Sequence, residues 1–105
     1  MGALAPRDKR VGLHLPVAVS GEDAGGARFS EATRSLNISG GGICFESHRH
    51  VLVGARLALE IELPPKLQPH FGGAPVYRVQ AVVCRVESFE GEQASRIGAR
   101  FVARA

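Results

Sequence analysis

The sequence predicts an all-β fold, a six-stranded antiparallel β-barrel with little or no helix. Three observations carry that reading. Apolar residues recur at every second position in several segments, the period of a strand with one face on a core. Glycine (13) and proline (6) break the 105-residue chain at short intervals. No segment shows the spacing of an amphipathic helix; at most a helical turn fits at 48–53 or 65–71. Six short strands separated by turn signals are the pattern of a closed or nearly closed barrel, which also removes exposed edges from a small Val-rich sheet.

The first strand is expected over 11–19, where Val11, Leu13, Leu15, Val17 and Val19 alternate with Gly12, His14, Pro16 and Ala18. Pro16 has no N–H and therefore predicts an edge or a bulge. Residues 20–26, with three glycines, read as a polar turn. A second strand with a weaker pattern follows over 28–38. The glycines at 40–42 turn the chain into a third strand over 43–47, which ends at the polar His48-Arg49-His50. A bend at Val53-Gly54 leads to the cleanest alternation in the chain, Leu57, Leu59, Ile61 and Leu63 against Arg56, Ala58, Glu60 and Glu62. Pro64-Pro65 stops that fourth strand, and 66–75 is a Pro/Gly loop. A long Val-rich fifth strand is expected over 76–88. After a turn at Glu90-Gly91-Glu92, the alternating Ile97, Ala99, Phe101 and Ala103 form a sixth. Internal repeats are absent, and the length suits one domain: an N-terminal arm over 1–10, expected to be flexible, and a barrel over 11–105.

Net charge is +3, and of the 13 basic residues only Lys9 and Lys66 are lysines. Arginine offers a planar fork that matches phosphate and guanine edges. Enrichment in Arg, Ala and Gly together is also what GC-rich coding produces, so composition alone does not establish nucleotide binding. Cys44 and Cys84 fall in predicted strands without the spacing of metal ligands. They read as reduced, half-buried thiols, consistent with a cytoplasmic protein, although sequence leaves a bridge between them open. No apolar run approaches the ~20 residues of a membrane-spanning helix, and Met1–Pro6 lacks the apolar core of a signal peptide. Membrane insertion is not expected.

The chemistry concentrates in Asn37-Ile38-Ser39-Gly40-Gly41-Gly42. Short polar side chains and glycines at a strand end expose hydrogen-bonding groups suited to a phosphate or the edge of a flat base. The same residues also make an ordinary Asx-type turn. His48 and His50 lack a third or fourth partner nearby, so a zinc site is not expected. His14 and His70 have no nameable partner. Glu60 and Glu62 read as a solvated strand face. No nucleophile–base–orienter set, P-loop or dinucleotide fingerprint is present, so the chain is not read as an enzyme and no cofactor is expected. With one Tyr, no Trp and five Phe, it also lacks the stacking platform of a nucleic-acid-binding barrel.

In order along the chain, the segments resemble the PilZ domain, the bacterial receptor module for cyclic di-GMP. The [D/N]-x-S-x-x-G motif of that family is complete as Asn37, Ser39 and Gly42. Flanking similarity runs through Thr33-Arg34, Val53-Gly54-Ala55-Arg56-Leu57, Val82-Val83-Cys84-Arg85-Val86 and Ile97-Gly98-Ala99-Arg100-Phe101. The R-x-x-x-R part of the family pattern departs here: Arg10 fits the second arginine, Pro6 stands at the expected first, and Arg7 is one residue closer. The resemblance implies a cyclic di-GMP site made by Arg10, Arg7, Asn37, Ser39 and Gly42, with Gly41 and Arg34 as secondary candidates. Arg10 and Arg7 would fork onto or stack against guanine, Asn37 would read a base edge or fix the turn, Ser39 would donate to a phosphate oxygen, and Gly42 would let backbone approach the ligand. It further implies an adaptor that passes the signal to a protein effector as the arm orders over the ligand. The alternative is a degenerate domain of the same fold that binds protein but not the nucleotide.

Overall fold

A computed structural model of the protein describes residues 12–104. The strands are β1 Pro16–Glu22, β2 Arg28–Ile38, β3 Gly42–Ser47, β4 Arg56–Glu62, β5 Val76–Ser88 and β6 Ser95–Arg104, with a single 3-10 turn over Gln68–Phe71. They close into a barrel in the order β1-β2-β3-β6-β5-β4, and every neighbouring pair is antiparallel. The predicted arm over 1–10, with Arg7 and Arg10, lies outside the described residues, as does Val11.

The alternating apolar positions fill the interior. Val17, Val19, Leu57, Leu59, Ile61, Val79, Val83 and Ile97 are all 2 % exposed or less, and Ile43 and Phe45 join them from β3. The 3-10 turn lowers Phe71 onto one end of the barrel. There it meets Tyr77 with ring centroids 5.1 Å apart, and Tyr77 meets Phe101 edge-on at 5.6 Å.

β1 differs from expectation at both ends. It begins at Pro16, and residues 12–15 lie outside the sheet although Leu15 is buried. The reason is Ser35 of β2, fully buried, which captures this segment. Its hydroxyl accepts from the Leu15 N–H (2.8 Å) and donates to the Leu13 carbonyl, and its own N–H donates to the Leu15 carbonyl (2.9 Å). β1 then continues through Glu22, and the turn narrows to residues 23–27, where the Asp23 carboxylate accepts from the Gly25 and Ala27 N–H groups. Pro16 occupies the first strand position, where its missing N–H is tolerated, and β1 pairs on both sides, so it is not an edge.

The weak pattern of β2 has a physical cause. Glu31 and Thr33 sit opposite Val19 and Val17 and so share their inward side. Both are used at the β3 end of the barrel. Glu31 accepts from the Ser47 hydroxyl (2.7 Å) and the His48 N–H (2.8 Å), and Thr33 donates to the Glu46 carbonyl. The register also slips by one residue at Leu36 of β2, Cys84 of β5 and Val102 of β6. These are bulges, each placing one extra residue on one strand. The cysteines are both free, but they are not alike: Cys44 is buried and Cys84 is exposed. Cys84 follows inward-facing Val83 and so faces outward, and it is the extra residue of its bulge.

Candidate functional site

The turn that joins β2 to β3 is built by its own polar atoms. Ser39 is 4 % exposed. Its N–H donates to the Gly42 carbonyl (2.9 Å), and its hydroxyl accepts from the Gly41 N–H (3.2 Å) and lies 3.5 Å from the Gly42 carbonyl. The Gly41 carbonyl in turn accepts from the Phe101 N–H (2.9 Å), fastening the turn to β6. At Gly42 β3 lies tight against β6: a Cβ there would stand 2.6 Å from the Ala99 carbonyl oxygen. The first requirement for glycine at 42 is thus strand packing. Gly40 is exposed, and an added Cβ would meet nothing.

Across the outer wall the register aligns residues from four strands. Asn37 of β2 pairs with Cys44 of β3, Cys44 with Gly98 of β6, and Gly98 with Arg85 of β5. Three strand spacings of about 4.8 Å put the two ends of this row roughly 14 Å apart. The neighbouring row runs from Gly42 to Arg100 and on to Val82. Between the rows lies a cavity of about 340 Å³, lined by Ser39, Gly41 and Gly42 from the turn and by Cys84, Arg85, Gly98 and Arg100 from the wall. Its rim is arginine and its floor is glycine and backbone. Such a surface offers N–H donors and guanidinium forks to an anion.

The structure therefore brings Ser39, Gly41 and Gly42 together at one cavity, with Asn37 in the adjoining row. Arg34 stands apart, exposed and opposite Pro16 on the β1 side. Arg85, Gly98 and Arg100 were given no site role by sequence reasoning. One signal for two of them was available: Ile97 and Ala99 alternate inward, so Gly98 and Arg100 share the outer face. Their adjacency to the Asn37–Gly42 turn depends on β3 pairing with β6, which no local pattern encodes.

Other candidates are occupied elsewhere. His48 lies 3.5 Å from the Glu31 carboxylate, and the His14 Nδ1 is 3.1 Å from the Ser35 carbonyl oxygen. Among the described residues no group of three or more His, Cys, Asp or Glu is placed to hold a metal ion, and no helix is long and apolar enough to cross a membrane. A larger cleft of about 690 Å³ opens where β1 and β4 part, beside Gly21, Arg28, Leu52, Val53 and Arg56. No residue of the Asn37–Gly42 turn lines it.

Comparison with known proteins agrees with this architecture. No curated protein matches the chain in sequence. Among solved structures, the Bacillus subtilis inhibitor of motility MotI/DgrA is similar over 97% of this chain and 44% of its own, with 22% identity and a TM-score of 0.71. The K. pneumonia MrkH–c-di-GMP complex is similar over 98% of this chain and 46% of its own (18% identity, TM-score 0.62). The chain thus spans less than half the length of either protein. The PilZ domain of YcgR from Escherichia coli, solved with c-di-GMP, is similar over 94% of this chain and 79% of its own (17% identity, TM-score 0.59). The PilZ domain family model matches residues 5–104. With the barrel, the motif turn and that match in hand, the chain belongs to the PilZ domain family.

Proposed function

We propose that this domain is a receptor for cyclic di-GMP that passes the signal to a protein effector. The observation that carries the reading is the complete Asn37–Ser39–Gly42 motif, folded into a turn that borders an arginine-rimmed cavity. Two proteins of the same fold, MrkH and the PilZ domain of YcgR, are described with c-di-GMP. The ligand is a dianion with two guanine bases. Arg10, and Arg7 beside it, would meet it from the arm, with Asn37 at a base edge and the turn N–H groups near a phosphate. Gly41 lines the cavity and is kept as a contact, whereas Arg34 is too far along β2 to be more than peripheral. Ordering of the arm on the ligand would change the surface that an effector reads. A cytoplasmic location follows from this role, since the messenger is made and read inside the cell.

Titration with cyclic di-GMP tests the proposal. Calorimetry is expected to show saturable binding, with amide shifts at Asn37, Ser39 and Gly41. Arg10→Ala should abolish the heat, and Arg7→Ala should weaken binding. Absence of both heat and shifts in the unmodified protein would sink the reading. It would favour a second one, a protein-interaction module of the same fold. That alternative draws on Leu52 and Val53, 60% and 64% exposed, which line the larger cleft.

A further inference from the structure

Resting on the cyclic di-GMP reading, we propose that Arg85 and Arg100 are ligand-contacting residues, a second half of the site supplied by the barrel wall rather than by the motif or the arm. The first ground is position, since both arginines line the same 340 Å³ cavity as Ser39, Gly41 and Gly42. The second is the bulge in β5. Val83 points into the core and is 1% exposed. In a regular strand Cys84 would then point out and Arg85 in. The extra residue at Cys84 breaks that alternation, so Arg85 faces outward opposite Gly98 while the half-buried Val86 returns to the core. Without the bulge a guanidinium would be driven into the barrel; with it, the guanidinium stands beside the motif turn.

The third ground is the floor. At Gly42 packing against Ala99 demands glycine, but at Gly98 it does not. A Cβ there would make ordinary contacts of 3.5–3.7 Å with the Arg85 side chain and nothing closer. The missing side chain at 98 lets the Arg85 side chain lie across β6, so that its guanidinium rests on the wall beside the motif turn, where it can itself stack on or fork to a purine. The fourth is charge. Among the described residues the Arg100 side chain makes no hydrogen bond or ion pair, and the Arg85 side chain has only a 3.6 Å pair with the exposed Glu87. Two guanidiniums with donors to spare, facing a glycine-floored space, match phosphodiester oxygens and the O6/N7 edge of guanine.

The experiment compares cyclic di-GMP affinity by calorimetry in the unmodified protein and in R85A, R100A and R78A. Arg78 lies on the outer face of the same strand, paired with Glu60 (3.3 Å) and away from this cavity. It therefore controls for the loss of one positive charge. All three side chains are exposed, and circular dichroism should confirm an unchanged fold. R85A and R100A are expected to weaken binding by on the order of tenfold each, the scale of one charge-assisted hydrogen bond, while R78A stays within about twofold, the range of a solvent-exposed charge. If the unmodified protein binds and R85A and R100A bind as tightly as R78A, the wall contribution is overturned and the receptor reading stands. If the unmodified protein does not bind, the receptor reading itself fails and this proposal falls with it.

Discussion

Gly42 and Gly40, two residues apart in one glycine run, answer to different physics. The Ala99 carbonyl oxygen leaves no room for a Cβ at 42, while the space beside 40 is open. Gly42→Ala is expected to cost about 1–3 kcal/mol of stability, the usual penalty of forcing atoms into a packed contact, and Gly40→Ala to change it little. Urea unfolding monitored by circular dichroism checks both, and equal midpoints for the two variants would contradict the assignment. The motif was legible as a turn from residue types alone. The role of Gly42 in strand packing was not, because the atom that enforces it belongs to β6. The Ser39 hydroxyl is similar: beside the donor role that its residue type suggests, it accepts from the Gly41 N–H and so builds its own turn.

Elements were legible wherever one face is apolar and the other polar. β2 and β5 fall on their expected spans, and β3, β4 and β6 differ only at the ends. What alternation could not reveal are the bulges at Leu36, Cys84 and Val102, since a bulge is a relation between two strands and one strand alone does not contain it. The price of missing them shows at Arg85, which strict alternation from Val83 would turn inward and the bulge at Cys84 turns outward. The thiols, expected to be alike and half-buried, differ as well: Cys84 is exposed, and Cys44 lies covered at 5% exposure. Of the two cysteines, Cys84 is expected to react promptly with a thiol reagent in the native protein and Cys44 only on unfolding. Mass-spectrometric mapping after brief iodoacetamide treatment reads this directly, and fast labelling at Cys44 would refute it.

For the whole molecule, the count of strands followed from turn signals, but their order around the ring did not. β6 inserts between β3 and β5, and β4 returns to β1, pairings set by the total core rather than by any local sequence. Closure makes each interior residue a shared support. Ile61 is fully buried and sits on β4 opposite both Val17 of β1 and Tyr77 of β5. Ile61→Ala should cost about 2–5 kcal/mol and lower the denaturant midpoint of a single cooperative transition. A variant that unfolds in two separated steps would show that the ring is not one cooperative unit.

Insertion of β6 beside β3 carries a consequence for synthesis. The Asn37–Gly42 turn leaves the ribosome well before Gly98, Ala99, Arg100 and Phe101, yet those later residues supply the carbonyl that seats Gly42, the N–H that fastens Gly41, and part of the cavity rim. A nascent chain halted before Ser95 would hold the whole recognisable motif but an incomplete cleft, lacking Gly98, Ala99 and Arg100. Affinity at this cleft is therefore a property of the closed ring. A messenger binding there would select fully folded chains and, by mass action, help to keep them closed.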